Sequence, residues 1–405
     1  MSMQSVAKLD ALIIGGGIAG LWTLRALVDA GYDAALLESK ALGAGQSIAA
    51  QGIIHGGLKY TLRGALTGSA KAIREAPAMW RSCFAGEREP RLTATAIRAQ
   101  SCFVWRTESL SSRAAMVGAQ RGLRVKPEAV AKEDRPAALE STPGVVARVA
   151  EQVVDPARVL EALSAPAMGR TALYDDTSLF VVEKSGIDGR WVVQASLADG
   201  KHVVLAPGVV VIAAGAGTAA LRGAFGLAPT SVQTRPLHMV MVRGSLPTLN
   251  GHCVDGLRTR VTITTSHMPS GETVWQVGGQ IAEDGVAMDE VSLIEHARRE
   301  LRACLPDVDI AHCAVATYRV DRVEGKTRTG ARPEAEVVTL ENRVVTALPT
   351  KLALAPRLAQ RVTAIVRGAL DSQAQQEPVA VQALEAAPHP RVAQPPWERV
   401  QHWRN

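Results

Sequence analysis

The chain has 405 residues, 47% of them apolar and 21% charged, with a formal net charge of +6. That apolar content excludes a disordered protein, and five cysteines over this length exclude a small disulfide scaffold. The charge is too slight to mark a polyanionic partner, and 4% aromatic residues without basic–aromatic interleaving disfavour nucleic acid. No stretch reaches the ~18 consecutive apolar residues of a membrane span, and MSMQSVAKLD carries no signal-peptide core. A cytoplasmic protein with reduced thiols is therefore expected. Cys83, Cys102, Cys253, Cys304 and Cys313 form no C-x-x-C pair, and no metal-ligand spacing such as H-E-x-x-H occurs, so no metal is expected.

The 35 glycines are placed unevenly: twelve of them fall between Gly15 and Gly68. Ala11–Ile14 reads as a short buried strand that runs straight into Gly15-Gly16-Gly17-Ile18-Ala19-Gly20. A helix follows, with Ile18, Leu21, Leu24 and Val28 at helical spacing and Gly31 as its stop. The next strand, Ala34–Leu37, ends on Glu38. Strand, G-x-G-x-x-G, helix, strand and acid together make the dinucleotide-binding βαβ pattern. Gly15 serves the tight turn, Gly17 lets backbone N–H groups approach a pyrophosphate, and Gly20 lets the helix lie close to the sheet. Glu38, 23 residues after Gly15, stands where a carboxylate accepts from adenosine ribose hydroxyls.

Past Glu38, Ser39 leads into a stretch from Leu42 to Tyr60 that holds five glycines, among them Gly52, together with Gln46, Ser47 and Gln51. Such a segment builds no packing face, but it lets backbone run along a flat ligand. On these residues, and on Gly52-Ile53-Ile54-His55-Gly56-Gly57-Leu58-Lys59-Tyr60, the chain resembles the D-amino-acid-oxidase-like FAD-dependent oxidoreductases. The loop is most similar to those of glycerol-3-phosphate and L-2-hydroxyglutarate dehydrogenases. Three later segments fit the resemblance: Val154-Asp155-Pro156 opening a helix, Ala214-Gly215-Ala216-Gly217-Thr218 after a buried strand, and Val274–Gln280 with its double glycine.

The resemblance implies an α/β FAD-binding Rossmann-like domain, with a parallel sheet and a β-meander, plus a mixed-sheet α+β substrate domain. The chain is expected to cross between them: residues 1–80, 151–227 and 329–371 in the FAD domain, 81–150 and 228–328 in the substrate domain, and 372–405 as a loosely attached Pro/Gln-rich tail. Within this plan a helix is expected at Pro156–Leu163, capped by Asp155, and strands at Thr171–Tyr174, Val203–Leu205, Val209–Ala213, Val337–Leu340 and Val344–Leu348. A hairpin of Ser178–Lys184 and Arg190–Leu197 is expected around the turn Ser185–Gly189.

A flavin supplies the hydride-acceptor chemistry, so the chain has to position substrate and manage charge. His55, in the glycine loop, is the candidate proton acceptor. Lys351 follows Pro349-Thr350, where the family's usual glycine turn under the flavin is absent. With Leu352 and the helix from about Pro356, it is expected to face the flavin's C2 carbonyl edge. Arg319 and Arg322 are candidates to clamp an anionic group, with Lys59, Tyr60 and Tyr318 as further pocket residues.

The expected function is oxidation of a CH–OH or CH–NH carbon in a small anionic substrate, such as a 2-hydroxy acid, an amino acid or a polyol phosphate, with FAD as cofactor. The electron acceptor and oligomeric state leave no motif. Gly215-Ala216-Gly217-Thr218-Ala219-Ala220 formally fits G-x-G-x-x-A, which keeps an NAD(P)H-linked flavin reductase as one alternative. A catalytically degenerate FAD-binding regulatory module is the other, because of the unusual Pro349-Thr350-Lys351 turn.

Overall fold

The computed structural model describes residues 6–56, 73–107, 127–178, 180–182, 189–229, 232–255, 258–333, 335–370 and 384–405. Strand β1 (Ala7–Ile14) is followed by helix α1 (Ile18–Asp29) and strand β2 (Ala34–Glu38). The two strands pair in parallel, Ala11 opposite Ala34 and Ile14 opposite Leu37. Both are buried along their apolar runs, as expected of a sheet covered on two faces. On the other side of β1 lies the strand His202–Ile212, parallel in register from Ala7–Leu205 to Ile14–Ile212. Val344–Leu348 extends the sheet in parallel beyond it, and Thr171–Leu173 extends it beyond β2.

Two strands expected around Val203–Ala213 are in fact one. Pro207 lacks an N–H, yet the strand runs through it opposite Leu9. At Gly208 the chains crowd, since a Cβ there would lie 3.1 Å from the Asp10 carbonyl oxygen. The antiparallel strands Val192–Ser196 and Phe180–Val182 form the meander. The expected turn at residues 185–188 lies outside the described residues.

The second sheet runs in the order Ala314–Gly325, Val232–Gly244, Thr273–Gly278, Arg258–His267, Gly251–Asp255, Cys102–Trp105, Ala147–Val149 and Glu128–Ala129. Helix Glu290–Cys304 covers one face through Leu293, Ala297 and Leu301, and Asp289 caps it by accepting from the Ser292 N–H.

Helix Ala76–Phe84 packs on the first body: Trp80 meets Trp22 edge to face at 4.7 Å. Leu92 and Ala96 join the same core, so the crossover comes near residue 100 rather than at 81. The segment Gly215–Gly217 and the short helix Thr218–Ala224 lead into the second sheet through Val232–Gly244. Among the described residues no parallel strand returns beside His202–Ile212 from this segment, so no second dinucleotide-binding βαβ unit is seen there.

The tail expectation needs correcting for residues 384–405. Leu42 N–H donates to the Arg391 carbonyl at 2.8 Å, and Arg404 exchanges backbone hydrogen bonds with Val315. Trp397 is buried among Met241, Val274 and Ala316. This segment therefore contacts both bodies. Two tryptophans anchor it, the pair by which the sequence allows the tail to dock: Arg98 lies over the Trp397 ring and Arg243 over the Trp403 ring. Among the described residues, no helix is long and apolar enough to cross a membrane.

Candidate active site

The glycine turn is built by close approach. Gly15 has φ +112°, and a Cβ on it would stand 2.6 Å from the Ala214 Cα, while one on Gly20 would overlap the Gly15 carbonyl oxygen. Ala213 and Ala214 thus sit directly behind the turn, with Gly215 the next residue along the chain. Gly17 is the α1 N-cap and offers no side chain to it; the Ile18 N–H instead donates to the Ser47 hydroxyl at 3.0 Å, and Ala19 is buried below. With no acidic side chain in its first turn, α1 presents the positive end of its dipole at this turn. Glu38 accepts from the Gly16 N–H at 2.6 Å and the Lys40 N–H at 2.8 Å. Ser39 hydrogen-bonds Tyr174, whose phenol is pushed up to about 12 by burial and by the Glu38 charge.

A cleft of about 650 Å3 opens from Ile18 and Ser47 and passes between the loop around His55, the second sheet and the turn Pro349–Ala353. Thr350 lies in this wall with φ +58°, its hydroxyl oxygen buried and without a hydrogen-bond partner. Lys351 and Leu352 follow in the same wall, Lys351 buried, and lead into helix Ala355–Ala369. The turn without side chains, the uncapped helix end and the orphaned hydroxyl fit FAD laid from Gly15–Gly20 toward the cleft. When bound, FAD supplies the two-electron acceptor. Gln46 and Gln51 also line the cleft, but their amides hold the second sheet. Gln46 accepts from the Val323 N–H, and Gln51 donates to the Thr262 and Gln276 carbonyls. They join the two bodies at the cleft. At Gly52, with φ +77°, a Cβ would overlap the Val154 carbonyl, so the loop runs flush against that strand.

Arg319 is not in the cleft. Side chains alternate along Ala314–Gly325, so Val320 and Arg322 face inward and Arg319 faces away. Its guanidinium donates to the Val286 and Met288 carbonyls at 3.2 and 3.0 Å. Tyr318 is a tie rather than a pocket group, donating to the Ala49 carbonyl at 3.1 Å and accepting from Gln276 Nε2 at 2.9 Å. Lys59 and Tyr60 lie outside the described residues.

Arg235, Arg258 and Arg332 line the cleft with Arg322, and the sequence reading missed all three. Arg235 is the direct cross-strand partner of Arg322. Fully buried Glu324 takes Arg235 in a two-pronged bond at 2.8 and 3.2 Å, while Arg322 donates to the Arg235 backbone carbonyl at 3.4 Å and approaches Glu283 at 3.8 Å. Burial, then the charges of Arg235 and Arg332, lower the Arg322 guanidinium below its usual range. An arginine still stays charged at working pH, so the site carries repulsion that an anion relieves.

His55 lines the far part of the cleft. The backbone of residues 52–56 runs beside that of residues 151–154, which sets Glu151 opposite His55. Glu151 accepts from the Gly56 N–H at 2.6 Å and stands 3.3 Å from His55 Nδ1. His252 stacks on His55, ring centroids 5.5 Å apart and planes 30° apart. Neither Glu151 nor His252 was singled out from sequence, because three separate segments meet here. Ligand-type atoms of the three residues lie within 4.8 Å of one another.

Fold and cleft thus define a flavin-dependent oxidoreductase. The family model described as FAD dependent oxidoreductase (DAO) matches residues 10–346, and the chain belongs to that family. It is 38% identical over 401 residues to a probable FAD-dependent oxidoreductase of Pseudomonas aeruginosa, covering 98% of this chain and 99% of that one. The crystal structure of an FAD-dependent oxidoreductase from Pseudomonas aeruginosa superposes with a TM-score of 0.79 at 34% identity, over 98% of this chain and 99% of the other. Glycine oxidase from Geobacillus kaustophilus gives 0.64 at 19% identity, covering 93% and 99%. L-alpha-glycerophosphate oxidase from Mycoplasma pneumoniae, solved with FAD bound, gives 0.64 at 16%, covering 92% and 97%.

Proposed function

We propose that this FAD-dependent oxidoreductase oxidises a carbon bearing an amino or hydroxyl group in a small anionic substrate. The observation that carries this reading is Arg322, half-buried at the cleft, directly opposite Arg235 and no nearer than 3.8 Å to the Glu283 carboxylate. Arg322 is the binding group, and Arg332 and Arg258 add to the positive wall. Gly15, Gly17, Ile18, Ala19, Gly20, Glu38 and Ser47 hold the dinucleotide end of FAD, and Thr350, Lys351 and Leu352 border its reactive end. Lys351 keeps positive charge near that border. His55 receives the proton released from the substrate's N–H or O–H group. The relatives support the choice of substrate, since those named for their activity include a glycine oxidase and a glycerophosphate oxidase. Anaerobic mixing of the FAD-loaded protein with amino acids, 2-hydroxy acids and polyol phosphates tests the reading. Bleaching by at least one of these classes is expected. Reduction by NADPH alone, or by nothing, contradicts it.

A further inference from the structure

Glu151 is a carboxylate whose side chain is only 3% exposed, and nothing in the dinucleotide fold requires it there. A buried charge of this kind is costly unless it is paired. It accepts from the Gly56 N–H and approaches His55 Nδ1. The neighbouring Cys102 thiol, wholly buried, is raised by burial and further by the Glu151 charge. On the other side, His252 is buried and stacked on His55, and its Nδ1 lies 2.9 Å from the Thr262 hydroxyl, which fixes its ring.

Two histidines and a glutamate this close invite comparison with a metal site. The 3.3 Å approach of Glu151 to His55 Nδ1 is equally that of a carboxylate orienting an imidazole N–H. The same arrangement suits proton transfer. An anionic Glu151 favours the proton on His55 Nδ1 and stabilises the imidazolium that forms when the ring takes a second proton.

We propose that His55, Glu151 and His252 form one proton-accepting unit, in which Glu151 and His252 are positioning residues that hold His55 toward the substrate. The proposal rests on the functional reading above. The proton passes from the substrate's N–H or O–H to His55 Nε2, on the ring edge opposite Glu151. The electron pair of that bond remains with the substrate as C=N or C=O character, and the carbon loses its hydride with two electrons to FAD. Glu151 accepts from the Nδ1–H throughout. The other charged groups on the cleft wall are Arg235, Arg258, Arg322, Arg332, Lys351 and Glu283. The cations oppose an imidazolium, and the carboxylate in contact with the ring offsets them.

The test is a histidine NMR titration of the FAD-loaded full chain, with His55→Asn assigning the His55 signal. In the wild type, the His55 midpoint is expected above the ordinary value of about 6.5. In Glu151→Gln it is expected to fall by about one to two pH units. The pH profile of anaerobic flavin reduction by substrate moves with it. A wild-type midpoint at or below the ordinary value, or one unmoved in Glu151→Gln, overturns the unit; if Glu151→Gln does not fold, the wild-type midpoint decides. A stoichiometric transition metal in the holoprotein, lost in Glu151→Gln, overturns it in favour of a metal site. Failure of every amine and alcohol to reduce the flavin instead overturns the functional reading, whereas an unmoved midpoint with reduction intact overturns this unit alone.

Discussion

Arg235 and Arg322 occupy directly opposed positions on neighbouring antiparallel strands, and the buried carboxylate of Glu324 is committed to Arg235. Like charges in this arrangement destabilise a sheet by roughly 0.2–1 kcal/mol, so the pair is a cost carried for binding. Replacing Arg322 with Leu is expected to leave the protein equally or more stable in a thermal melt. The same variant should lose about 100-fold in kcat/KM for its anionic substrate, mainly through KM. Loss of stability with binding intact would show that Arg322 is structural.

Tyr318 joins the second sheet to the loop that approaches the flavin, through its hydrogen bond to the Ala49 carbonyl. Burial pushes its phenol well above the ordinary range, so it remains a neutral donor at any working pH. Tyr318→Phe leaves that carbonyl and Gln276 short of a partner, at a cost of about 1–3 kcal/mol. A lower melting temperature and faster FAD release on dilution are expected, with the reduction rate of retained flavin little changed.

All five cysteines are buried, and the Cys83 thiol is pushed up to about 11 by burial, with Arg88 opposing and Glu89 adding to the rise. A thiol raised on folding contributes fully below its unfolded value of 9.0, and that contribution is lost as pH rises through about 11. Urea midpoints should therefore drop between about pH 9 and 11, and Cys83→Ala should flatten that part of the curve. At about pH 8 the native thiols should resist iodoacetamide until the chain unfolds.

Trp397 fixes the C-terminal segment against the second sheet, its ring 3% exposed and the Arg98 guanidinium 5.4 Å from its centroid. Trp397→Ala is expected to cost about 3–5 kcal/mol. Protease cleavage near the C-terminus, followed by mass spectrometry, should become rapid in the variant and stay slow in the wild type.

How much of this was legible in the sequence follows from distance along the chain. The βαβ unit from Ala11 to Glu38 and the Asp155 cap, which accepts from the Ala157 and Arg158 N–H groups, are local, and each was readable from spacing. Arg319 and Arg322 read alike as clamp candidates because sequence shows that an arginine is present but not which sheet face it takes. Parity along Ala314–Gly325 decides that, and the long-range register Arg235–Arg322 supplies the partner. His55 was visible within its glycine loop, while Glu151 and His252 reach it from residues 96 and 197 positions away in the chain. The tail's Pro/Gln composition reads as loose and its two tryptophans as a docking point, but where they dock is set by long-range contacts with Arg98 and Arg243.

The central claim is that this flavin site oxidises a small anion held by Arg322. It is tested most directly by anaerobic stopped-flow reduction of the bound FAD with paired compounds, each substrate acid against its uncharged amide or ester. The account predicts that an acid bleaches the oxidised flavin band, that its uncharged counterpart does so far more slowly, and that Arg322→Leu abolishes the difference. Equal rates for the acid and its neutral partner in the wild type, or bleaching by NADPH with no response to any acid, would contradict it.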